Sequence, residues 1–535
     1  LNQNFYGNQS YGVKAAAKSY FNKELKDLTL SQAAILAALP QSPSNYDLVR
    51  NAVEQDDGTL LVPDDTAIVQ RRNLVLDLLA DADRRPLSGN QYSAADFEAA
   101  RNEPVVIAPQ TEARWTAPHF VWAVRDELTR DLCADAQTCT RLEQGGLRIT
   151  STLDVKLQKS AEKWVAAAAI VPKAKDPKQA AKDIGLPYAT WMQRLRDKDL
   201  NNGALVAIDY QTGELVAYVG SADYYARKGN KQFQPKFDVV GDGYRQPGSA
   251  FKPFNYLTGI DDRTLTAATM FMDVATDFGG KYSPTDADNL ERGPVRVRNA
   301  LQFSLNIPSV KAVAVNKPEH VFARVQDFGM RFRQGATTPG LSLALGTQEV
   351  RPVDLVTAYA TLANQGRYVA HTTILKVQDP NGNDVLPPHD EKAPGQQVAS
   401  PEAAAVVTDM LAGNTDTKVN PFWGKFAILD ARKRRRPATL KTGTNNDAKD
   451  LNAYGYIAPP TAAGRTGGEY ALAVGVWNGN SDNSVVSTPQ KPVFSIDVTT
   501  YVWQGFMDEA SKKWAVNDFK TPDGLAKAKV DPFTG

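Results

Sequence analysis

The sequence predicts an α+β fold in which strands from the beginning and the end of one large domain form an antiparallel sheet. Two apolar runs, 205–209 and 214–219, flank a Tyr-Gln-Thr-Gly turn and predict a β-hairpin. Helical patterns dominate from about 250 to 365. Further strands are predicted at 438–444, 452–457 and 470–477. A sheet assembled from such separated strands, with helices between them, is an α+β arrangement.

Length and composition are those of a folded protein with more than one domain. A chain of 535 residues exceeds the size at which one hydrophobic core stops growing, so two or three domains are expected. Its 42% hydrophobic and 23% charged residues argue against disorder. A net charge of +1 gives no reason to expect nucleic acid as a partner. The dense basic run Arg432–Arg436 is interpreted as a solvated loop.

Pattern and composition divide the chain into four segments. Residues 1–85 are expected to be helical, and a capping box at Thr29–Gln32 begins an Ala/Leu-rich helix there. Residues 86–158 carry several prolines and are interpreted as a linker region. Residues 159–516 contain the predicted sheet with its helices, and residues 517–535 form a polar tail.

A serine and a lysine three residues apart are the first candidate catalytic pair. Ser249-Ala-Phe-Lys252 follows Arg245-Gln-Pro-Gly and precedes a helical run. On a helix the two side chains are neighbours, so a neutral Lys252 can take the proton of Ser249 as the hydroxyl attacks a carbonyl. Backbone N–H groups at the helix start can stabilise the developing oxyanion. The spacing alone is weak, because Ser160-Ala-Glu-Lys163 repeats it in an amphipathic helix.

A Lys-Thr-Gly motif is the second candidate. Lys441-Thr442-Gly443 occurs once, on the strand predicted from Ala438, and Thr444 follows it. The motif is either an exposed strand end or a cation and two hydroxyls that face the nucleophile and hold a substrate carboxylate. A glycine in a strand allows a ligand backbone to approach closely.

Three Ser-x-Asn matches compete for the middle of the site: Ser88-Gly-Asn90, Ser304-Leu-Asn306 and Ser481-Asp-Asn483. Ser88 precedes the nucleophile and lies in the linker region. Ser481 follows the Lys-Thr-Gly motif and lies in a polar turn. Ser304 lies between the other two motifs, at the break between two helical patterns. We therefore predict Ser304 and Asn306 as site residues.

Together these motifs resemble the transpeptidase domain of class A penicillin-binding proteins. Ser-x-x-Lys, Ser-x-Asn and Lys-Thr-Gly are shared by penicillin-binding proteins and serine β-lactamases. The class A likeness is carried by longer runs: Arg245-Gln-Pro-Gly-Ser-Ala-Phe-Lys-Pro-Phe, Asn306-Ile-Pro-Ser-Val-Lys, Leu343-Ala-Leu-Gly-Thr-Gln-Glu-Val, Leu440-Lys-Thr-Gly-Thr-Asn and Gly145-Gly-Leu-Arg-Ile-Thr-Ser-Thr-Leu-Asp. The resemblance covers nearly the whole chain. It implies a penicillin-binding, serine β-lactamase-like domain, preceded in residues 1–85 by a helical remnant of a lysozyme-like glycosyltransferase domain.

The resemblance implies a peptidoglycan D,D-transpeptidase that β-lactams acylate. Ser249 would attack the penultimate D-alanine carbonyl of a stem peptide with Lys252 as base, and an amine of a second stem peptide would resolve the ester. Ser304 would pass a proton between Lys441, Lys252 and the leaving amine, while Asn306 would bind the substrate amide. The implied substrate-binding residues are Thr442, Gly443 and Thr444, and the implied oxyanion donors are the backbone N–H groups of Ser249 and Thr444. No cofactor or metal is implied.

The resemblance also bears on the N-terminal segment and the location. Leu1–Lys23 and Leu28–Pro43 look like the end of a glycosyltransferase domain. The family carries its catalytic glutamates in segments before this point, so the chain is not expected to polymerise glycan strands. The implied location is the extracytoplasmic face of the bacterial cell membrane, with an N-terminal membrane anchor outside this sequence. Cell-wall synthesis proteins are the implied partners besides the stem peptides and β-lactams.

Two cysteines, Cys133 and Cys139, are too few to close a four-ligand zinc site, and no histidine lies near them. In an oxidising compartment they could form a disulfide, and in the cytosol they would stay two free thiols. The location implied by the resemblance favours the disulfide.

One departure from the family pattern concerns the strand after Lys-Thr-Gly. The family often has Asp-x-Trp-Phe-x-Gly there, whereas this chain has Asp450-Leu-Asn-Ala-Tyr-Gly455. We expect the strand to be kept and one wall of the cleft to differ.

Besides the transpeptidase, two other functions remain open. Water instead of an amine would resolve the ester in a D,D-carboxypeptidase or a β-lactamase, and a non-catalytic penicillin-binding sensor would keep only the fold. The intact motifs argue against the sensor. A histidine triad is not expected, because Phe251 replaces the last glycine of a Gly-x-Ser-x-Gly elbow and the four histidines lie in no motif with an acid.

Overall fold

The chain forms two compact units, Leu1–Arg114 and Trp115–Gly535, in a computed structural model. It describes residues 4–531 except 9, 56, 82–91, 110–114, 134–138, 140, 143–144, 227, 334, 338–339, 446 and 489. The Ser-Gly-Asn match at Ser88 therefore lies outside the described residues. The division between the units falls inside the segment 86–158. The three boundaries between the four segments drawn from pattern and composition stay predictions.

The first unit combines helices with a small sheet. Its helices are α1 (Val13–Phe21), α2 (Leu30–Ala38), α3 (Pro43–Tyr46), α4 (Leu48–Asn51), α5 (Ala67–Ala80) and α6 (Ala94–Asn102). Its antiparallel sheet has the order β1 (Val53–Glu54), β2 (Leu60–Val62) and β3 (Val105–Ile107). The predicted capping box is present, because Thr29 Oγ1 accepts from the N–H of Gln32 and the Gln32 side chain accepts from the N–H of Thr29. The sheet was not predicted, since strands of two or three residues show no period.

The second unit contains the remaining elements. Its helices are α7 (Pro118–Leu132), α8 (Val155–Ala169), α9 (Pro177–Asp183), α10 (Thr190–Gln193), α11 (Lys252–Asp261), α12 (Val297–Gln302), α13 (Asn306–Asn316), α14 (Pro318–Asp327), α15 (Pro352–Ala363), α16 (Pro401–Ala412) and α17 (Thr499–Ser511). Its strands are β4 (Arg148–Ser151), β5 (Asn202–Asp209), β6 (Leu215–Val219), β7 (Met270–Asp273), β8 (Gly293–Arg296), β9 (Arg367–Tyr368), β10 (Ile374–Gln378), β11 (Gln396–Gln397), β12 (Ile428–Leu429), β13 (Arg435–Arg436), β14 (Lys441–Thr444), β15 (Asp450–Tyr456) and β16 (Leu472–Gly479). In the described part of the chain, no helix has both the length and the hydrophobicity to span a bilayer.

The central sheet confirms the α+β prediction. It is antiparallel throughout, in the order β14-β15-β16-β5-β6, and so joins the predicted hairpin to the three late strands. Successive side chains of a strand point to opposite faces. Accordingly Val206 and Ile208 enter one core with α11 and α15, whereas Leu205 and Ala207 enter the other core with α8 and α17. Burial on both faces explains why these strands are continuously apolar rather than alternating.

Part of the segment 86–158 is integrated into the second unit. Strand β4 pairs antiparallel with β10, and helix α7 contacts β6. Cys133 and Cys139 are joined by a disulfide bond, as the resemblance implied.

The interpretation of the basic run as a solvated loop is wrong for its last member. Arg436 is fully buried, and its guanidinium donates to the carbonyl oxygens of Ser511, Trp514 and Ala515. These carbonyls lie at and beyond the end of α17, where a helix leaves its last carbonyls without partners. Arg436 therefore satisfies that helix end and does not face solvent.

Candidate active site

The segment before α11 presents Ser249 at the start of a helix. Gly248–Phe251 forms one turn of 3₁₀-helix that continues directly into α11. Gly248 has a φ of 56°, and a Cβ there would lie 2.8 Å from the carbonyl oxygen of Thr444, so the position requires glycine. The hydroxyl of Tyr359 donates to the carbonyl oxygen of Ala250 at 2.8 Å. These contacts fix the backbone on both sides of Ser249, which is itself partly exposed.

Lys252 is fully buried one helical turn after Ser249. Its Nζ donates to the carbonyl oxygen of Ser304 at 2.6 Å and to Oδ1 of Asn306 at 2.7 Å. Burial lowers the pKa of Lys252 to about 7, although the charge of Asp286 opposes that shift. A neutral amine has two N–H groups and one lone pair. Both N–H groups are used in these two bonds, so the lone pair of the neutral amine takes no part in them.

Ser304 lies between two lysines, in the break between α12 and α13 that the sequence predicted. Its φ of 60° turns the chain sharply between the helices. Its Oγ accepts from Nζ of Lys441 at 2.7 Å, and its carbonyl oxygen accepts from Lys252. Burial, and then the positive charge of Lys252, hold the pKa of Lys441 well below its usual value. Ser304 is thus hydrogen-bonded to Lys441 through its hydroxyl and to Lys252 through its backbone carbonyl oxygen.

Asn306, the first residue of α13, is fixed by the loop that connects β7 and β8. Its Nδ2 donates to the carbonyl oxygen of Thr285 at 2.7 Å, and its backbone N–H donates to the carboxylate of Asp286. Asp286 was not predicted from the sequence. It lies 20 residues before Asn306 and belongs to no recognised motif. No sequence signal singles it out, because its bond to the start of α13 spans 20 residues and α13 has no capping side chain in its own sequence.

Strand β14 is an edge strand that docks on the nucleophile segment. Lys441 and Thr442 are buried, and a Cβ on Gly443 would lie 2.0 Å from the carbonyl oxygen of Pro247. Only glycine permits this approach of two backbones. Lys-Thr-Gly therefore lies against the segment that carries Ser249, and the backbone that Gly443 approaches is the protein's own. Its role in substrate binding stays a prediction.

The hydroxyl of Thr444 is engaged by a serine that sequence reasoning missed. Ser495 is buried, its Oγ lies 2.8 Å from Oγ1 of Thr444, and it donates to the carbonyl oxygen of Gly443 at 2.7 Å. Its N–H also donates to Oγ1 of Thr444 at 3.2 Å. Ser495 therefore holds β14 in place, and Thr444 would have to release it to bind a carboxylate with its hydroxyl.

The departure from the family pattern at Asn452 and Ala453 leaves strand β15 intact, as expected. Asp450 is buried and accepts from the N–H of Gln246 at 3.2 Å and from Nε1 of Trp477 at 2.8 Å. Burial raises its pKa to about 6, while the nearby Arg245 opposes the shift. This carboxyl ties the segment that leads to Ser249 to the central sheet.

The two competing motifs within the described residues lie elsewhere. Ser160 is buried in α8, and Lys163 of the same helix forms an ion pair of 2.5 Å with Glu509. Ser481 accepts hydrogen bonds from Nδ2 of Asn202 and from the N–H of Gln234. Of the two Ser-x-Asn motifs within the described residues, Ser304-Leu-Asn306 is the one bonded to both lysines of the site.

A serine at a helix start, a buried lysine of lowered pKa, and a second serine bonded to a lysine of an edge strand are groups that serine acyl transfer can use. The chain belongs to the penicillin-binding protein family: the model of the penicillin binding protein transpeptidase domain matches residues 203–490, more than half of it. The model called Transglycosylase matches residues 1–79. The class A resemblance of the sequence motifs is confirmed at this level.

Similar proteins are known both as curated sequences and as solved structures. The chain is 28% identical to Penicillin-binding protein 2D of Bacillus subtilis, over 100% of this chain and 67% of that protein. It spans 59% to 67% of the length of the curated relatives most similar to it. A structure of Penicillin-Binding Protein 1A from Haemophilus influenzae superposes with a TM-score of 0.69 at 21% identity, covering 100% of this chain and 88% of that one. The PonA1 protein of Mycobacterium tuberculosis in complex with penicillin V gives 0.60 at 21% identity, covering 78% and 100%.

Proposed function

We propose that this protein is a peptidoglycan D,D-transpeptidase that cross-links stem peptides through an acyl-enzyme on Ser249. The observation that supports it most is the hydrogen-bonded row Lys252, Ser304 and Lys441, with Asn306 on Lys252. Family membership supports the reaction class, and the site supplies every group that serine acyl transfer needs.

In the acylation step, Oγ of Ser249 attacks the carbonyl carbon of the penultimate D-alanine while its proton passes to Nζ of Lys252. The C–N bond then breaks, and the departing D-alanine nitrogen takes this proton from Lys252 through Ser304, which returns Lys252 to its neutral form. In the second step an acceptor amine attacks the ester carbonyl and its surplus proton passes to Lys252. The C–O bond to Ser249 then breaks, and Lys252 gives the proton to Oγ, so that Ser249 recovers its hydroxyl. The backbone N–H groups of Ser249 and Thr444 are the proposed oxyanion donors, each worth about 3 to 4 kcal/mol in other serine enzymes.

Substrate binding is assigned to β14 and α13. The charge of Lys441 and the hydroxyls of Thr442 and Thr444 are the proposed partners of the terminal carboxylate, and Nδ2 of Asn306 that of the substrate amide. Binding by Thr444 requires its hydroxyl to turn away from Ser495. Binding by Nδ2 of Asn306 likewise competes with the carbonyl oxygen of Thr285.

The proposal places the reaction on the extracytoplasmic face of a bacterial membrane, where peptidoglycan is assembled. The disulfide between Cys133 and Cys139 suits an oxidising compartment. Thiol titration of the unreduced protein should find no free cysteine, and two titratable thiols would contradict this location.

We further propose that this 535-residue chain does not polymerise glycan strands, although residues 1–79 match the Transglycosylase model. By resemblance, the glutamates that catalyse that reaction belong to segments outside this sequence. Incubation with lipid-linked disaccharide should leave the disaccharide unchanged, and elongated glycan would overturn the proposal.

Covalent labelling with a fluorescent penicillin tests the central assignment. The β-lactam carbonyl takes the place of the D-Ala-D-Ala amide, and its tethered leaving group stays in the cleft, so the label should persist on Ser249. Ser249→Ala should abolish labelling, whereas Ser160→Ala, with the same Ser-x-x-Lys spacing, should be labelled like the native protein. A label that maps to Ser160, or that survives in Ser249→Ala, would refute the assignment.

Product analysis then separates amine from water as the second substrate. The protein is incubated with a donor peptide ending in D-Ala-D-Ala and an amine acceptor, and the products are weighed by mass spectrometry. A cross-linked product supports the transpeptidase. A free acid alone, at every acceptor concentration, identifies a D,D-carboxypeptidase.

A further inference from the structure

The loop between β7 and β8 brings a buried carboxylate to the back of the site. Asp286 in this loop is almost fully buried, with 3% of its surface exposed. Its Oδ1 accepts the backbone N–H of Asn306, the same residue whose side chain accepts from Lys252. Asp286 is therefore connected to the proposed base, Lys252, through one intervening residue, Asn306.

The carboxylate is itself held by a charged cluster. Arg292 donates to Oδ2 of Asp273 at 3.4 Å and to Oδ2 of Asp286 at 3.5 Å, and it also pairs with the half-exposed Asp288. Asp273, on β7, is fully buried, and its pKa is raised to about 6 by burial and by the neighbouring Asp286. Two buried carboxylates and one guanidinium leave little freedom for the Asp286 side chain to turn away.

We propose that Asp286 is a positioning residue for acylation, which fixes Asn306 against Lys252 and sets the negative charge that the lysine faces. This inference rests on the proposed function. It assigns to a loop outside the three motifs the control of where the base points and of the pH at which it becomes neutral.

The charges around Lys252 determine the direction in which its pKa should shift when the charge of Asp286 is removed. Among the described residues, Lys441 on β14 faces Lys252 with the same charge, and Asp286 faces it with the opposite charge. Asp273, Arg292 and Asp288 lie behind Asp286. Tyr256 on α11 also lies near Asp286 and Asp273. Burial raises its pKa, and the charges of these two carboxylates raise it further. Removing the charge of Asp286 should make Lys252 lose its proton at lower pH.

Two substitutions separate the charge from the hydrogen bond. Asp286→Asn keeps an oxygen for the N–H of Asn306 and removes the charge, whereas Asp286→Ala removes both. Asp288→Asn is the matched control, since it removes a charge from the same loop and the same arginine but makes no hydrogen bond to Asn306. Asp286→Ser, smaller and with an oxygen, is a second charge-free variant.

The measurement is the acylation rate with a fluorescent penicillin between about pH 5 and pH 9, with the maximal rate separated from the half-saturating concentration. For Asp286→Asn, the rate at about pH 6 relative to that at about pH 8.5 should rise at least about threefold, which is half a unit in the pKa of Lys252. For Asp286→Ala, the maximal rate should fall at least about tenfold with a smaller change in half-saturation. Asp288→Asn should match the native protein in both readouts.

Each outcome decides the proposal. An unchanged pH profile in Asp286→Asn together with a native rate in Asp286→Ala overturns it, provided that the native protein is labelled on Ser249. If all three Asp286 variants melt well below the native protein and none is labelled, Asp286 has only a structural role and the proposal is also overturned. If the native protein itself is not labelled, the proposed function fails first, and the two failures are thereby distinguished.

Discussion

At the scale of single residues, the site depends on two lysines removed from water. A buried ammonium loses hydration that hydrogen bonds only partly replace, so burial favours the neutral amine. Lys252 and Lys441 are both buried, and the charge of Lys252 further disfavours a proton on Lys441. A neutral Lys252 is the form that can accept the Ser249 proton, whereas a charged Lys441 would be the form that binds a carboxylate. In the proposed mechanism, Ser304 exchanges the proton between them.

The pH dependence of acylation should follow Lys252. Because its pKa is lowered to about 7, the base is protonated and inactive below that pH and neutral above it. The labelling rate should therefore fall about tenfold for each pH unit below about 7 and level off above about 8, as one titrating base requires. A rate that stays constant from about pH 5.5 to pH 7 would contradict Lys252 as the base.

Removal of the base should cost more than removal of a charge elsewhere. Lys252→Ala keeps the nucleophile and loses its proton acceptor, which typically lowers a rate by about 10² to 10⁴. Lys441→Ala should slow labelling less, since it removes charge stabilisation only. Lys163→Ala is the control, because Lys163 has the same spacing from a serine but pairs with Glu509 on α17. Equal rates for Lys252→Ala and Lys163→Ala would contradict the assignment.

The sequence could suggest the groups that are proposed to react but not those that hold them in place. Ser304 was distinguished from Ser88 and Ser481 by its order between two motifs, because catalytic side chains recur with fixed neighbours. Asp286 and Ser495 act through contacts 20 and 51 residues away along the chain. A long-range hydrogen bond leaves no local pattern, so only a three-dimensional structure could show either residue.

At the scale of elements, the cleft depends on the fit of β14 against the segment before α11. Gly443 touches Pro247 and Ala250 of that segment, and Gly248 touches Thr444 in return. The strand was predictable from the apolar residues that precede its Lys-Thr-Gly motif and from the motif itself. The contact of the strand with the segment before α11 was not predictable. It is made by backbone atoms, and such a contact leaves no pattern of side chains in the sequence.

Gly443→Ala tests this contact. The new methyl group would lie 2.0 Å from the carbonyl oxygen of Pro247 and 2.7 Å from the nitrogen of Ala250, so one backbone must move. Overpacking of this kind costs about 1 to 3 kcal/mol. We expect a lower melting temperature and a labelling rate reduced at least about tenfold, since Ser249 is displaced relative to Thr444.

Gly524→Ala is the matched control for that substitution. A methyl group there meets only the carboxylate end of Glu402, a flexible side chain that can move aside. It should melt and be labelled like the native protein. If Gly443→Ala also behaves like the native protein, the strand does not need its close approach to Ser249.

At the scale of the whole molecule, one sheet separates two cores and the site lies at its edge. The core that holds α11 and α15 supports Ser249 and Lys252, and the core that holds α8 and α17 supports the far face of the same strands. The α+β class was predictable, because β5 and β6 are long apolar runs with a turn between them. The sheet of the first unit and the burial of Arg436 were not, since short strands and a single arginine resemble loops.

The second unit should carry acylation by itself. Every residue assigned to the site lies between 245 and 495, and the two largest cores take their residues from 117 onward. A segment with its own core can fold alone. A protein of residues 115–535 should therefore be labelled on Ser249 by penicillin within about twofold of the rate of the 535-residue chain. The same segment with Ser249→Ala is the control for non-specific labelling. If residues 115–535 give a cooperative melt but acylate far more slowly than the whole chain, the first unit contributes to the site.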